Sequence, residues 1–173
     1  QIEHRAVAEV RSTGRTLYGT AAPFNLAADI GGAFREMILP GAFRATLAGS
    51  PDIRALADHR TDGLLGRTRS GSLRLTETGA GLDYQLDLPA TSLGNDLLEL
   101  ARRGDLSGVS IGFSADTETW PTQRTRQLRA VTLHEISIIT GGLPAYDKTS
   151  VAVRARGLEQ TGTRLRRLRL AVL

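Results

Sequence analysis

Cysteine is absent from the 173 residues, which excludes disulfides, thiolate zinc sites and cysteine nucleophiles and fits a reducing compartment. Histidine is scarce: His4, His59 and His134 are the only three, and none sits in an HExxH-like spacing. No metal and no cofactor is therefore expected. No apolar run approaches the roughly 18 residues of a membrane-spanning helix, so no membrane partner is expected either. Gln1 to Val10 carry charges and lack the apolar core of a secretion signal. Aromatic residues make up 5% of the chain and form no base-stacking platform, which disfavours a nucleic-acid partner.

What is present fits one compact domain with a basic end. The net charge of +4 is uneven, since residues 151–173 hold six arginines against Glu159, leaving residues 1–150 at about −1. The chain is accordingly divided into a domain over 1–153 and an arginine-rich tail over 154–173. The tail reads as a solvated face or as a docking or self-cleaved segment.

Alternation and turn residues predict a strand-rich chain with a few helices, an α+β class. An early hairpin is expected from Ile2–Val10 and Arg15–Phe24, turning at Ser12-Thr13-Gly14. Asn25–Ala33 reads as a loop before a strand at Phe34–Leu39, and Ala42–Ala48 as a short helix. Ile53–Ala57 reads as a strand delivering Asp58 and His59. Leu64–Leu75 and Gly81–Leu88 form a meander, and Ser92–Arg103 a helix stopped by Gly104. Leu106–Phe113 and Ala130–Thr140 are two further strands, linked by a polar excursion around Trp120 and Pro121.

Gly108-Val109-Ser110-Ile111-Gly112 matches GxSxG, which in α/β-hydrolases marks a nucleophile on a strand-to-helix turn. Phe113-Ser114-Ala115-Asp116 after it shows no helical period, so the elbow reading is rejected. On a strand, Val109, Ile111 and Phe113 face the core while Gly108, Ser110 and Gly112 line a cleared opposite face. The glycines leave a peptide backbone room to approach Ser110, although an ordinary strand serine is the alternative. Strict alternation likewise groups Val131, Leu133, Glu135 and Ser137 on one face and Thr132, His134, Ile136 and Ile138 on the other. A carboxylate among such apolar neighbours needs a partner. His59 is one, its tautomer being fixed by the acid, and one of the many arginines is the other. His4, near the chain end, is expected to be exposed.

The order of Tyr18-Gly19-Thr20-Ala21-Ala22-Pro23-Phe24-Asn25, Ile38-Leu39-Pro40-Gly41-Ala42-Phe43 and Ala57-Asp58-His59 resembles the prohead proteases of tailed phages. Leu65-Gly66-Arg67, Gly104 to Phe113, Leu133-His134-Glu135-Ile136-Ser137 and Pro144-Ala145-Tyr146 continue the resemblance over about residues 5–155. It implies a mainly antiparallel β-barrel of herpesvirus-protease type surrounded by a few helices. It also implies a serine endopeptidase with His59 as base, Ser110 as nucleophile and Glu135 as the third member, His134 being the competitor for that place. Gly141 and Gly142 are the implied oxyanion donors. Arg60 and Val109 depart from the commoner family pattern of an acid and a Met, and neither removes a reacting group. By the same resemblance the partners are the scaffold segment of the major capsid protein and the chain itself, cut inside the immature capsid in the host cytoplasm, with a homodimer as an expectation by analogy. A non-catalytic capsid-assembly protein that keeps the fold is the alternative.

Overall fold

The computed structural model describes residues 2–7 and 10–141. Strands dominate it: β1 (Glu3–Val7), β2 (Arg11–Thr13), β3 (Thr16–Pro23), β4 (Ala28–Ile30), β5 (Phe34–Ile38), β6 (Arg54–Ala57), β7 (Leu64–Arg67), β8 (Leu73–Glu77), β9 (Gly81–Asp87), β10 (Gly108–Thr122) and β11 (Thr125–Ile139). Two helices, α1 (Arg44–Ala48) and α2 (Ser92–Arg103), interrupt them. The strands form a seven-stranded sheet running β1-β10-β11-β5-β4, with β6 on β11 and β7 on β6, and a four-stranded sheet β2-β3-β9-β8. The architecture is thus mixed α and β with few helices, as expected. The strand pairing forms no closed barrel among the described residues.

The sheets meet through β3, which packs on β1 and β10, and through β9 on β7. Between them lies one core that includes Leu17, Tyr84, Leu86, Val109, Ile111, Phe113, Ile136 and Ile138. β11 organises the larger sheet. One edge carries antiparallel β10; the other takes β5 in parallel at Thr125–Leu128 and β6 in parallel at Glu135–Ile138.

Several expectations hold locally for clear physical reasons. Helix α2 runs over Ser92–Arg103, starting where the Thr91 hydroxyl accepts from the Gly94 amide and stopping at Gly104, whose φ of 76° is left-handed. The turn before residue 16 is also where expected, but only β2 pairs with β3 there. The first residues leave that hairpin, and β1 joins β10 in the other sheet. The stretch read as a loop contains β4, paired antiparallel with β5. Leu64–Leu75 is two strands rather than one, broken at Gly71 with φ 74°. The expected polar excursion is ladder: β10 and β11 pair from Gly108 and Ile139 out to Thr122 and Thr125. The basic tail lies outside the described residues.

Candidate active site

Three strands of the larger sheet converge on one patch. Across the ladder Ala6 faces Ser110 and His4 faces Gly112, while on the other side Ser110 faces Ser137 and Gly112 faces Glu135. Directly opposed residues share a face, so His4, Ser110, Gly112, Glu135 and Ser137 belong to one surface of the sheet. Val109, Ile111 and Phe113 point the other way and are completely buried, as the alternating reading requires.

The register of β11 corrects that reading in one place. Phe113 pairs with Leu133 and Gly112 with Glu135, so His134 is the extra residue of a β-bulge. Before it Val131 and Leu133 face the core; after it Ile136 and Ile138 do. Strict alternation would have placed Leu133 and Glu135 on one face. The bulge re-phases the strand and turns Glu135 onto the Ser110 face. His134 lies apart from this patch: its Nε2 is 2.8 Å from the Ser114 hydroxyl, farther along the hairpin.

His59 arrives from the neighbouring strand. β6 runs beside Glu135–Ile138, and the chain then reverses over Ala57–Arg60 with the Arg60 amide donating to the Ala57 carbonyl. Asp58 and His59, the two central residues, have φ of 49° and 60°, the pattern of a type I′ turn that usually takes Gly or Asn. Left-handed backbone in a non-glycine residue costs on the order of 1 kcal/mol, so something must hold it. Asp58 does: its amide donates to the Ile138 carbonyl, and its carboxylate accepts from the Thr140 amide at 2.8 Å and the Thr140 hydroxyl at 2.6 Å. The turn carrying His59 is thereby fastened to the end of β11.

The result is a His59 Nδ1 to Glu135 Oε1 hydrogen bond of 2.7 Å. An ionised carboxylate can only accept, so Nδ1 carries the proton and Nε2 of the neutral ring keeps its lone pair. Burial pushes the Glu135 carboxyl up, but the His59 hydrogen bond and the charges of His59, His4 and Arg54 outweigh it and hold the group below its ordinary value. Arg54 also reaches Glu135, at 3.8 Å. Both partners foreseen for this acid are present, and the histidine is the nearer.

Ser110 sits two residues from Gly112, about 7 Å along the strand. It is 2% exposed. Its hydroxyl makes no hydrogen bond to His59 among the described residues. Gly112 has a demonstrable task, because a Cβ there would lie 2.7 Å from the Glu135 Cγ and 3.1 Å from the His4 Cε1. Gly141 is exposed just past β11, and Gly142 falls outside the described residues.

One residue of the patch was misjudged from sequence. The His4 ring packs edge-on against His59, centroids 4.0 Å apart, with Nδ1 3.9 Å from Glu135 Oε1 and the side chain only 20% exposed. Its neighbour Arg5 faces the opposite way, into a buried ion network. The signal was the missing one: nothing in Glu3 to Val7 says which strand it joins.

No curated protein and no solved structure matches the chain. Residues 1–164 match the family model of the caudovirus prohead serine protease, and the chain belongs to that family.

Proposed function

We propose that the chain is an active serine endopeptidase in which Ser110 is the nucleophile, His59 the general base and Glu135 the acid that orients it. The family is one of serine peptidases acting in capsid maturation. The observation that carries the residue assignment is the 2.7 Å bond from His59 to Glu135 on the face that also bears Ser110. With Nδ1 engaged by Glu135, Nε2 takes the Ser110 proton as Oγ attacks the scissile carbonyl. The imidazolium, stabilised by Glu135, then protonates the leaving amine, and water releases the acyl group by the reverse roles. Ser110 and His59 come into hydrogen-bond reach when substrate is seated, as is common where the free enzyme holds them apart. The amides of Gly141 and Gly142, just beyond β11, are assigned to the oxyanion.

The substrates are the scaffold segment of the major capsid protein and the chain itself, cut within the immature capsid in the host cytoplasm. The basic segment 154–173 docks the enzyme there or is itself removed. A barrel of herpesvirus-protease type and a homodimer complete this reading, both by analogy.

The small exposure of Ser110, 2%, and the lack, among the described residues, of a hydrogen bond from its hydroxyl to His59 favour the second reading, a capsid-assembly protein that keeps the fold without the activity. Co-expression with the capsid precursor separates the two. Trimmed precursor with the wild-type chain and intact precursor with Ser110→Ala is the expected result. Intact precursor with both overturns the peptidase.

A further inference from the structure

The His4 ring has no part in the acyl-transfer scheme, yet it stands against both partners of the His59–Glu135 pair. Ligand atoms of His4, His59 and Glu135 all lie within 4.8 Å of one another. Two imidazoles and a carboxylate form a donor set suited to borderline transition metals. Two of the three ligand separations are close to what such an ion needs, and the third, between the two imidazoles, lies within 4.8 Å. Tetrahedral ligands at about 2.0–2.1 Å from zinc stand roughly 3.3 Å apart. His59 Nδ1 and Glu135 Oε1 are 2.7 Å apart and His4 Nδ1 and Glu135 Oε1 3.9 Å, so one pair opens and the other closes by about half an ångström.

The three ligands come from separate parts of the chain, which is why no spacing motif announces them. His4 is supplied by β1, His59 by the turn after β6 and Glu135 by the bulged segment of β11. Gly112 lies between β1 and β11 and is what allows two of them to approach: a Cβ there would press on both Glu135 and His4. An ion bound at His59 Nδ1 displaces the proton of that nitrogen to solvent.

We infer that His4, His59 and Glu135 form a three-ligand site for a transition-metal dication of the Zn2+ class, and that loading this site switches the peptidase off. The first half rests on geometry, the second on the peptidase reading. With the ion on Nδ1, the neutral ring carries its proton on Nε2. It then has no lone pair to accept the Ser110 proton. The ion and the general base exclude each other, and a chelator restores activity.

The test begins with the full-length Ser110→Ala chain, which keeps all three ligands and cannot cut itself. Calorimetry with Zn2+, and visible absorption with Co2+ as the spectroscopic substitute, is expected to give one ion per chain. Affinity is expected to fall at least tenfold in His4→Phe, which keeps a ring of similar size, and in Glu135→Gln, but not in His134→Ala. Absence of binding, or binding that His4→Phe does not weaken, overturns the site. For the wild-type enzyme, Zn2+ is expected to stop precursor cleavage and a chelator to restore it. His4→Phe should raise the half-inhibiting Zn2+ concentration at least tenfold relative to its own metal-free rate. Activation by Zn2+ overturns the switch. If the metal-free wild-type chain cuts nothing while Ser110→Ala still binds the ion, the peptidase reading and the switch fail together and the ion site stands.

Discussion

The two faces of β1 hold two carboxylate clusters whose basic partners differ, to opposite ends. On one face His4 meets Glu135 and His59. On the other, Arg5 donates through Nε and Nη2 to both oxygens of Glu36, at 2.5 and 2.9 Å, and Arg126 donates to the same carboxylate at 2.9 Å. Arg126 also pairs with Glu3 and Glu118, and its guanidinium is held above its ordinary value because these partners outweigh burial. Arg5 and Glu36 are essentially inaccessible, at 1% and 0% exposure, whereas the His59 side chain is 25% exposed. The sealed cluster uses arginine, which cannot give up its proton. The open one uses imidazole, which can. A fully paired network locks β1, β5 and the β10–β11 hairpin together; the half-covered one lies beside a strained turn.

This contrast breaks first at its sealed end. Arg5→Ala leaves Glu36 buried with half its partners gone, at a cost of about 3–5 kcal/mol. A drop in melting temperature on the order of 10 °C is expected by thermal denaturation, and a shift of a degree or two would mean that the network does not carry the sheet. Glu135→Gln, by contrast, should fold almost as well as wild type yet lose roughly a hundredfold or more in kcat/KM, because the amide can no longer stabilise the imidazolium. Equal losses of stability in the two variants would erase the distinction between the faces.

Gly112→Ala comes next. Its new Cβ would intrude on Glu135 Cγ at 2.7 Å, so the acid must shift and activity should fall about tenfold or more, with about 1–3 kcal/mol of stability lost to overpacking. The pH response is a smaller effect with a definite sign. Glu135 is held below 4.5 in the fold, so between that value and its folded pKa the unfolded chain binds a proton that the folded chain does not. Its stabilising contribution is complete above about pH 4.5 and is lost as pH falls through the folded pKa. Chemical denaturation of Glu135→Gln should therefore show a shallower fall in stability below pH 4.5 than wild type. The smallest effect belongs to His134→Ala, which removes a partner of Ser114 away from the site and should change activity no more than about twofold.

The parts of this arrangement legible in the sequence were those fixed by neighbours along the chain. Gly104 stops α2, and Val109, Ile111 and Phe113 set the face of β10 that Ser110 avoids. The strand before His59 could be read from Ile53 to Ala57. Pairing across the fold was not legible. Nothing local assigns β1 to β10 rather than to β3, so His4 looked like a terminal residue. A bulge leaves no composition signal, so the re-phasing at His134 was invisible even though Glu135 was singled out. The polar residues around Trp120 resembled a loop because β10 is exposed at most positions from Asp116 to Thr122; its ladder bonds are made by backbone, not by side-chain type.

The most direct test is the reaction of the folded chain with a fluorophosphonate, with the modified peptide mapped by mass spectrometry. A serine poised by His59 and Glu135 should be labelled at Ser110 in the wild type, and labelling should fall at least a hundredfold in His59→Ala and substantially in Glu135→Gln. Label at another serine, or label at Ser110 that persists unchanged in His59→Ala, would contradict the assignment of these three residues to one active site.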